Sequence, residues 1–225
     1  MTHPHFPLNS EISTLRVTEI FYSIQGESTY AGQPCVFVRL TGCPLRCSWC
    51  DTTYAFHGGK DMSLESVLKQ VNSYACPLVE VTGGEPLAQP AAFPLITKLC
   101  DEKFEVLVET SGSIDITSVD SRAQIIMDIK CPSSQMEDQT HWENLQHITS
   151  KDQIKFVISN RQDYDWAVDI VKRRQITDLC PVLFSPAFGS QALQPMAEWI
   201  LQDQLKVRFQ IQLHKIIWNP ETRGV

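Results

Sequence analysis

A chain of 225 residues buries a large core without metal or disulfide staples, so its eight cysteines are available for other roles. The composition, 43% hydrophobic and 20% charged with no low-complexity tract, is that of a globular protein rather than a disordered or fibrous one. A formal net charge of −7 argues against nonspecific binding to nucleic acid or to an anionic membrane.

The first segment, MTHPHFPLNSEIS, has no basic stretch followed by an apolar core, so no signal peptide is expected. Residues 1–14 read as a flexible arm in which His3 and His5 are incidental. No apolar run approaches the length of a membrane span. The expected location is the cytoplasm, where thiols stay reduced and clustered cysteines point to metal or catalysis.

FYSIQGES (21–28) precedes the first long apolar run, CVFVRL (35–40). PLVEVT (77–82), FEVLVE (104–109), QIIMDI (124–129), QIKFVI (153–158) and PVLFS (181–185) follow, with KVRFQIQL (206–213) as a further candidate. Most are near-continuous rather than alternating, as expected of parallel strands covered on both faces. Helical periodicity falls between them. Leu64, Val67, Leu68 and Val71 share one face behind Ser63, a candidate N-cap, and residues 91–102, 162–174 and 191–203 are further helices, with a shorter one at 141–148.

This alternation predicts an α/β fold, one domain over residues 1–225, with a mostly parallel sheet of six to seven strands. In such folds the chemistry gathers at the carboxyl ends of the strands. TGCPLRC, TGGEP, ETSG, DIKCP and SPAFG each follow a strand, so one shared mouth is expected.

Within TGCPLRCSWCDTTY, Cys43, Cys47 and Cys50 are spaced C-x3-C-x2-C. Three thiolates from one loop suit an iron–sulfur cluster with one iron left open; the competing reading is a zinc site completed by His57 or Cys35. The glycines of VTGGEP let backbone approach a ligand closely. Arg39 interrupts an apolar strand, which fits a fork reading a carboxylate or an internal salt bridge, for instance with Glu27. His214 sits just past the last strand candidate. Cys35 and Cys100 read as small core residues, and Cys76, Cys131 and Cys180 are not assigned to the cluster.

The C-x3-C-x2-C motif, GGEP after the second strand and Trp49 before the last cysteine together resemble the radical S-adenosylmethionine (SAM) superfamily. EIFYSIQGES, FVRLTGCPLRCSWCDTTY, TGGEP, ETSG, DIKCPSS, IKFVI and QLHKIIWNP, in that order from residue 19 to 220, are similar to the 7-carboxy-7-deazaguanine synthase family within it. The resemblance implies a partial (β/α) barrel that holds a 4Fe–4S cluster, SAM and Mg2+. It implies conversion of 6-carboxy-5,6,7,8-tetrahydropterin to 7-carboxy-7-deazaguanine with loss of ammonia, a homodimer, and an electron donor such as flavodoxin. By the same resemblance Cys43, Cys47 and Cys50 bind the cluster and Thr52 ligates Mg2+. Trp49, Cys50, Asp51, Gly84, Asp128, Ile129, Lys130 and Ser185 meet SAM, and Ile24, Gln25, Gly26, Glu27, Arg39, Thr82 and His214 meet the pterin.

Two features depart from the family pattern. Ser28 stands where glycine is common, and the chain runs on past Pro220 as ETRGV, a tail that either folds over the mouth or is disordered. Competing functions are an activase placing a glycyl radical on a partner protein and, from another class, a zinc-stabilised binding module without catalysis.

Overall fold

The computed structural model describes residues 14–189 and 193–225. The expected N-terminal arm lies outside the described residues except for Thr14, and so does the start of the helix expected over 191–203. In chain order the elements are β1 (Thr14–Ile24), β2 (Pro34–Leu40), β3 (Lys60–Ser63), α1 (Leu64–Asn72), β4 (Leu78–Gly83), α2 (Ala92–Asp101) and β5 (Glu105–Thr110). They continue with β6 (Gln124–Ile129), β7 (Gln153–Ile158), α3 (Arg161–Arg173), β8 (Val182–Pro186), α4 (Leu193–Gln202), β9 (Arg208–Phe209) and α5 (His214–Ile217).

The strands form one sheet in the order β3-β1-β2-β4-β5-β6-β7-β8-β9, open at both ends. From β2 through β9 every neighbouring pair is parallel. The expected α/β class and mostly parallel pairing therefore hold, and nine strands replace the expected six to seven. The two additional strands, β1 and β3, are the antiparallel ones. Only Leu15, Val17 and Phe21 of β1 are buried among its eleven residues, so this strand lacks the continuous apolar run that marks its parallel neighbours. Phe21 stacks on Phe37 across the β1–β2 pair at 4.9 Å. The candidate strand at 206–213 contracts to Arg208–Phe209, and the short helix at 141–148 is a 3-10 turn over Trp142–Gln146.

The helices follow their periodicity. Ser63 caps α1, its Oγ accepting the N–H of Ser66 at 3.2 Å, and Leu64, Val67, Leu68 and Val71 are buried. Asn160 caps α3 in the same way, through the Asp163 N–H at 3.0 Å. Because strands β4 to β8 are neighbours in chain order, right-handed crossovers place their connecting segments on one side of the sheet. α1 packs on β1, α2 on β5 and α3 on β7. The other side carries the polar residues. Arg39, Glu80, Thr82, Glu109, Asp128 and Lys155 all line one cavity there.

Candidate active site

That cavity measures about 590 Å³ and opens at the carboxyl ends of β2 and β4 to β8, where the five post-strand motifs converge. Cys43, Cys47, Cys50, Trp49, Asp51, Thr52, Gly84, Asp128 and Lys130 line it, as do Ile24, Gln25, Gly26, Glu27, Arg39, Thr82 and His214. Ile129 and Ser185 do not: both are buried within their strands.

The cysteine loop is held by backbone. Gly42 turns the chain at φ +97°, its N–H donating to Ala55 O at 2.7 Å. Arg46 Nη1 donates to Cys43 O at 2.7 Å and to Leu45 O at 2.6 Å, and its guanidinium covers Phe56 at 4.3 Å. Ser48 ties the loop to the segment after β6, through its N–H to Ser134 O (3.1 Å) and its hydroxyl to Ser133 O (2.6 Å). All eight cysteines are free, and Cys35 is a fully buried core residue. Burial pushes the thiols of Cys43, Cys47 and Cys50 up, and Lys130 opposes this at each.

The glycines of TGGEP line the cavity and are required by packing. A Cβ on Gly84 would lie 2.3 Å from Gly42 O and 2.8 Å from Cys43 Cβ, and one on Gly83 would lie 2.4 Å from Leu40 O. The Gly84 and Glu85 N–H groups donate to Leu40 O (3.2 Å) and Gly42 O (2.8 Å). Glu85, fully buried, accepts from Ser111 N (2.7 Å), Ser111 Oγ (2.5 Å), Thr110 Oγ1 (2.9 Å) and Leu87 N (3.0 Å). TGGEP and ETSG are therefore clamped to one another, a role that spacing in sequence does not reveal.

The floor is an ion-pair network. Lys155, 3% exposed, bonds Glu27 at 2.9 Å, bonds Glu109, and stands 3.6 Å from Asp128. Burial would lower its ammonium, but Glu109, Glu27 and Asp128 together hold it well above the usual lysine range. Burial likewise works to raise Glu27, whose carboxyl Lys155 and His214 nonetheless keep below its ordinary value. Thr82 Oγ1 donates to Glu109 at 3.1 Å. Glu80 has the opposite fate: burial, with the Glu109 charge nearby, pushes it up to about 8. Gln25 Nε2 donates to Glu80 at 2.6 Å while Gln25 Oε1 accepts the Glu27 N–H at 3.1 Å, which locks that amide.

Arg39 pairs internally, but with Glu19 rather than Glu27. Its Nε donates to Glu19 Oε1 at 2.9 Å because these residues face each other in the β1–β2 register. Leu213 N donates to Gly26 O at 2.9 Å, and the His214 ring occupies the space where a Cβ on Gly26 would stand. Burial draws the His214 imidazole down. Thr52 Oγ1 donates to Asp51 Oδ1 at 2.9 Å. Burial works to raise Asp51, yet Lys215 at 2.6 Å holds it far below the usual carboxylate range. The tail past Pro220 forms part of the cavity wall, since Glu221 to Val225 line it.

Whether a cluster and SAM fit can be judged from these groups. Three thiols on one loop, all facing the cavity and none cross-linked, are the donor set of a cluster that keeps one iron open. Beside them Trp49 Nε1 and Asp128 Oδ1 are buried without hydrogen-bond partners, a donor and an acceptor ready for a polar ligand. Lys130, bonded to Asp128 at 2.9 Å, stands 5.4 Å from the centre of the Trp49 ring. The residues fit the group.

Comparison with known proteins shows what the whole chain is similar to. The Radical SAM superfamily model matches residues 37–176. The 7-carboxy-7-deazaguanine synthase of Chlorobaculum tepidum is 44% identical over 94% of this chain and 97% of its own length. That of Koribacter versatilis is 43% identical over 94% of this chain and all of its own. Among solved structures, QueE from Escherichia coli superposes with a TM-score of 0.73 at 20% identity, covering 89% of this chain and 95% of that one.

Proposed function

The chain belongs to the radical SAM superfamily and, within it, to the 7-carboxy-7-deazaguanine synthase family, and from that premise we infer its reaction. It converts 6-carboxy-5,6,7,8-tetrahydropterin, a small-molecule substrate, to 7-carboxy-7-deazaguanine with release of ammonia. The observation that carries this reading is the opening of the three-cysteine loop and the Arg39, Glu27 and His214 side chains onto one cavity. The 4Fe–4S cluster and SAM, when bound, supply a 5′-deoxyadenosyl radical, and the protein supplies orientation and exclusion of water.

We assign the cluster to Cys43, Cys47 and Cys50, with Trp49, Asp51, Gly84, Asp128 and Lys130 beside SAM. Ile129 and Ser185, expected beside SAM as well, do not line the cavity. Ile24, Gln25, Gly26, Glu27, Arg39, Thr82 and His214 form the pterin pocket. Glu27 stays ionised and accepts hydrogen bonds from the ring edge, and the guanidinium of Arg39 pairs with an anionic group while Glu19 fixes its orientation. A wrong ring would leave such buried polar groups unpaired, which penalises its binding.

Mg2+ is assigned to Thr52, whose hydroxyl donates its proton to Asp51 and so keeps its oxygen available to a hard cation. Thr52→Ala should change the dependence of turnover on Mg2+ while the cluster spectrum stays that of the wild type; loss of the spectrum would make Thr52 a structural residue.

The chain is read as one domain, supported by the single continuous sheet of the described residues. Eight free thiols support a reducing, cytoplasmic setting. Among the described residues no helix is long and apolar enough to cross a membrane. A homodimer is supported by the exposed Leu201, Ile216 and Ile217 side chains, and an external one-electron donor such as flavodoxin reduces the cluster.

The test is an anaerobic assay of the reconstituted protein with SAM, Mg2+, reductant and the carboxytetrahydropterin. Formation of the deazaguanine is expected. An intact cluster with no product would sink the reading.

A further inference from the structure

The cations lining the cavity are unequal in charge balance. Lys130 is paired with Asp128, Lys155 with Glu27 and Glu109, Lys215 with Asp51, and Arg39 with Glu19. Among the described residues Arg223 is the only lysine or arginine of the cavity wall without a carboxylate partner. Arg223 is held instead by an aromatic face, its guanidinium standing 4.1 Å from the centre of the Tyr54 ring. Arg39 lies 6.0 Å from the same ring centre, and the Tyr54 hydroxyl donates to Glu19 at 2.8 Å. The same Glu19 oxygen accepts Arg39 Nε at 2.9 Å, so Glu19 is already occupied by its two partners.

Tyr54 thus gathers two guanidinium groups, Arg39 paired within the protein and Arg223, exposed on the cavity wall, without a carboxylate partner. A cation of that kind is matched by an anion arriving with a ligand. We propose that Arg223, on the tail past Pro220, is a specificity-determining residue that binds the carboxylate of the pterin substrate, acting with Arg39 across Tyr54. The proposal rests on the functional reading above. It also gives the tail a role, because Glu221 to Val225 complete the wall and deliver the charge that the sheet itself does not leave free.

The test is anaerobic equilibrium binding to the cluster- and SAM-loaded enzyme. Two ligands are compared, 6-carboxytetrahydropterin and a tetrahydropterin lacking the carboxylate, with wild type, Arg223→Gln and Arg223→Lys. Loss of one charge-assisted hydrogen bond weakens binding by about tenfold. Arg223→Gln should therefore bind the carboxylated ligand about tenfold more weakly and the other ligand unchanged, with Arg223→Lys in between. Equal losses for both ligands, or no loss, would overturn the assignment of Arg223 alone. A wild-type enzyme that binds neither pterin would defeat the functional reading and the proposal with it.

Discussion

The two walls of the cavity are built by different physics. The cysteine side, Thr41 to Phe56 with TGGEP and ETSG behind it, is fixed by backbone hydrogen bonds, by glycines without room for a Cβ, and by the buried Glu85 clamp. The floor, by contrast, is fixed by side chains that come from four strands and one turn and balance one another's charge. The contrast teaches a division of labour. The cofactor wall needs a fixed backbone to bring thiols together, whereas the substrate floor needs ionised and neutral acids in adjacent positions.

Four substitutions test that division. Cys47→Ala removes one of the three loop thiols, and turnover should fall to background with loss of cluster absorbance and iron, while far-UV circular dichroism is unchanged. Retention of full iron content would break the assignment of the cofactor wall. Lys155→Met leaves the carboxylates of Glu27, Glu109 and Asp128 facing one another in a buried site. An uncompensated buried charge costs about 3–5 kcal/mol, so the apo-protein should melt roughly 10 °C lower. A change of a degree or less would mean that the floor is not held by ion pairs.

Gly84→Ala acts on the other wall. Its Cβ meets Gly42 O and Cys43 Cβ, atoms that move only if the loop moves, at a cost of about 1–3 kcal/mol. Melting temperature and iron per chain should both fall; a drop in melting temperature with normal iron would uncouple the glycine from the cysteine loop. The smallest effect is a pH dependence. Glu80 has a folded pKa of about 8 against an ordinary 4.5, so the folded state holds its proton more tightly than the unfolded chain. Its contribution is fully present below pH 4.5 and is lost as pH rises through about 8. Glu80→Gln keeps an acceptor for Gln25 and removes the titration. The variant should therefore gain stability relative to wild type as pH rises across this window, and a constant difference would show that Glu80 is not neutral in the fold.

Much of this architecture is legible in the sequence. The parallel strands from β2 to β8 are marked by apolar runs, α1 by the spacing of Leu64, Val67, Leu68 and Val71, and the cavity mouth by motifs that follow strands. The floor is legible in part. Arg39 stands out as a charge inside an apolar strand, and Glu80 in PLVEVT, Asp128 in QIIMDI and Lys155 in QIKFVI carry the same signal. Recognising it requires knowing that alternate residues of a parallel sheet face a polar cavity rather than a second layer of helices.

By itself, then, the sequence determined what depends on neighbours along the chain: strand and helix periodicity, the cysteine spacing, and the motif order that relates the chain to its family. The tertiary structure alone decided who meets whom. Lys155 finds Glu27 at a separation of 128 residues, and Arg39 chooses Glu19 because β1 pairs antiparallel with β2. Arg223 reaches Tyr54 because the tail turns back onto the cavity wall. The physical reason is common to all three. Charge pairing and packing act through space at a few ångströms, and only the folded chain brings such distant positions within that range.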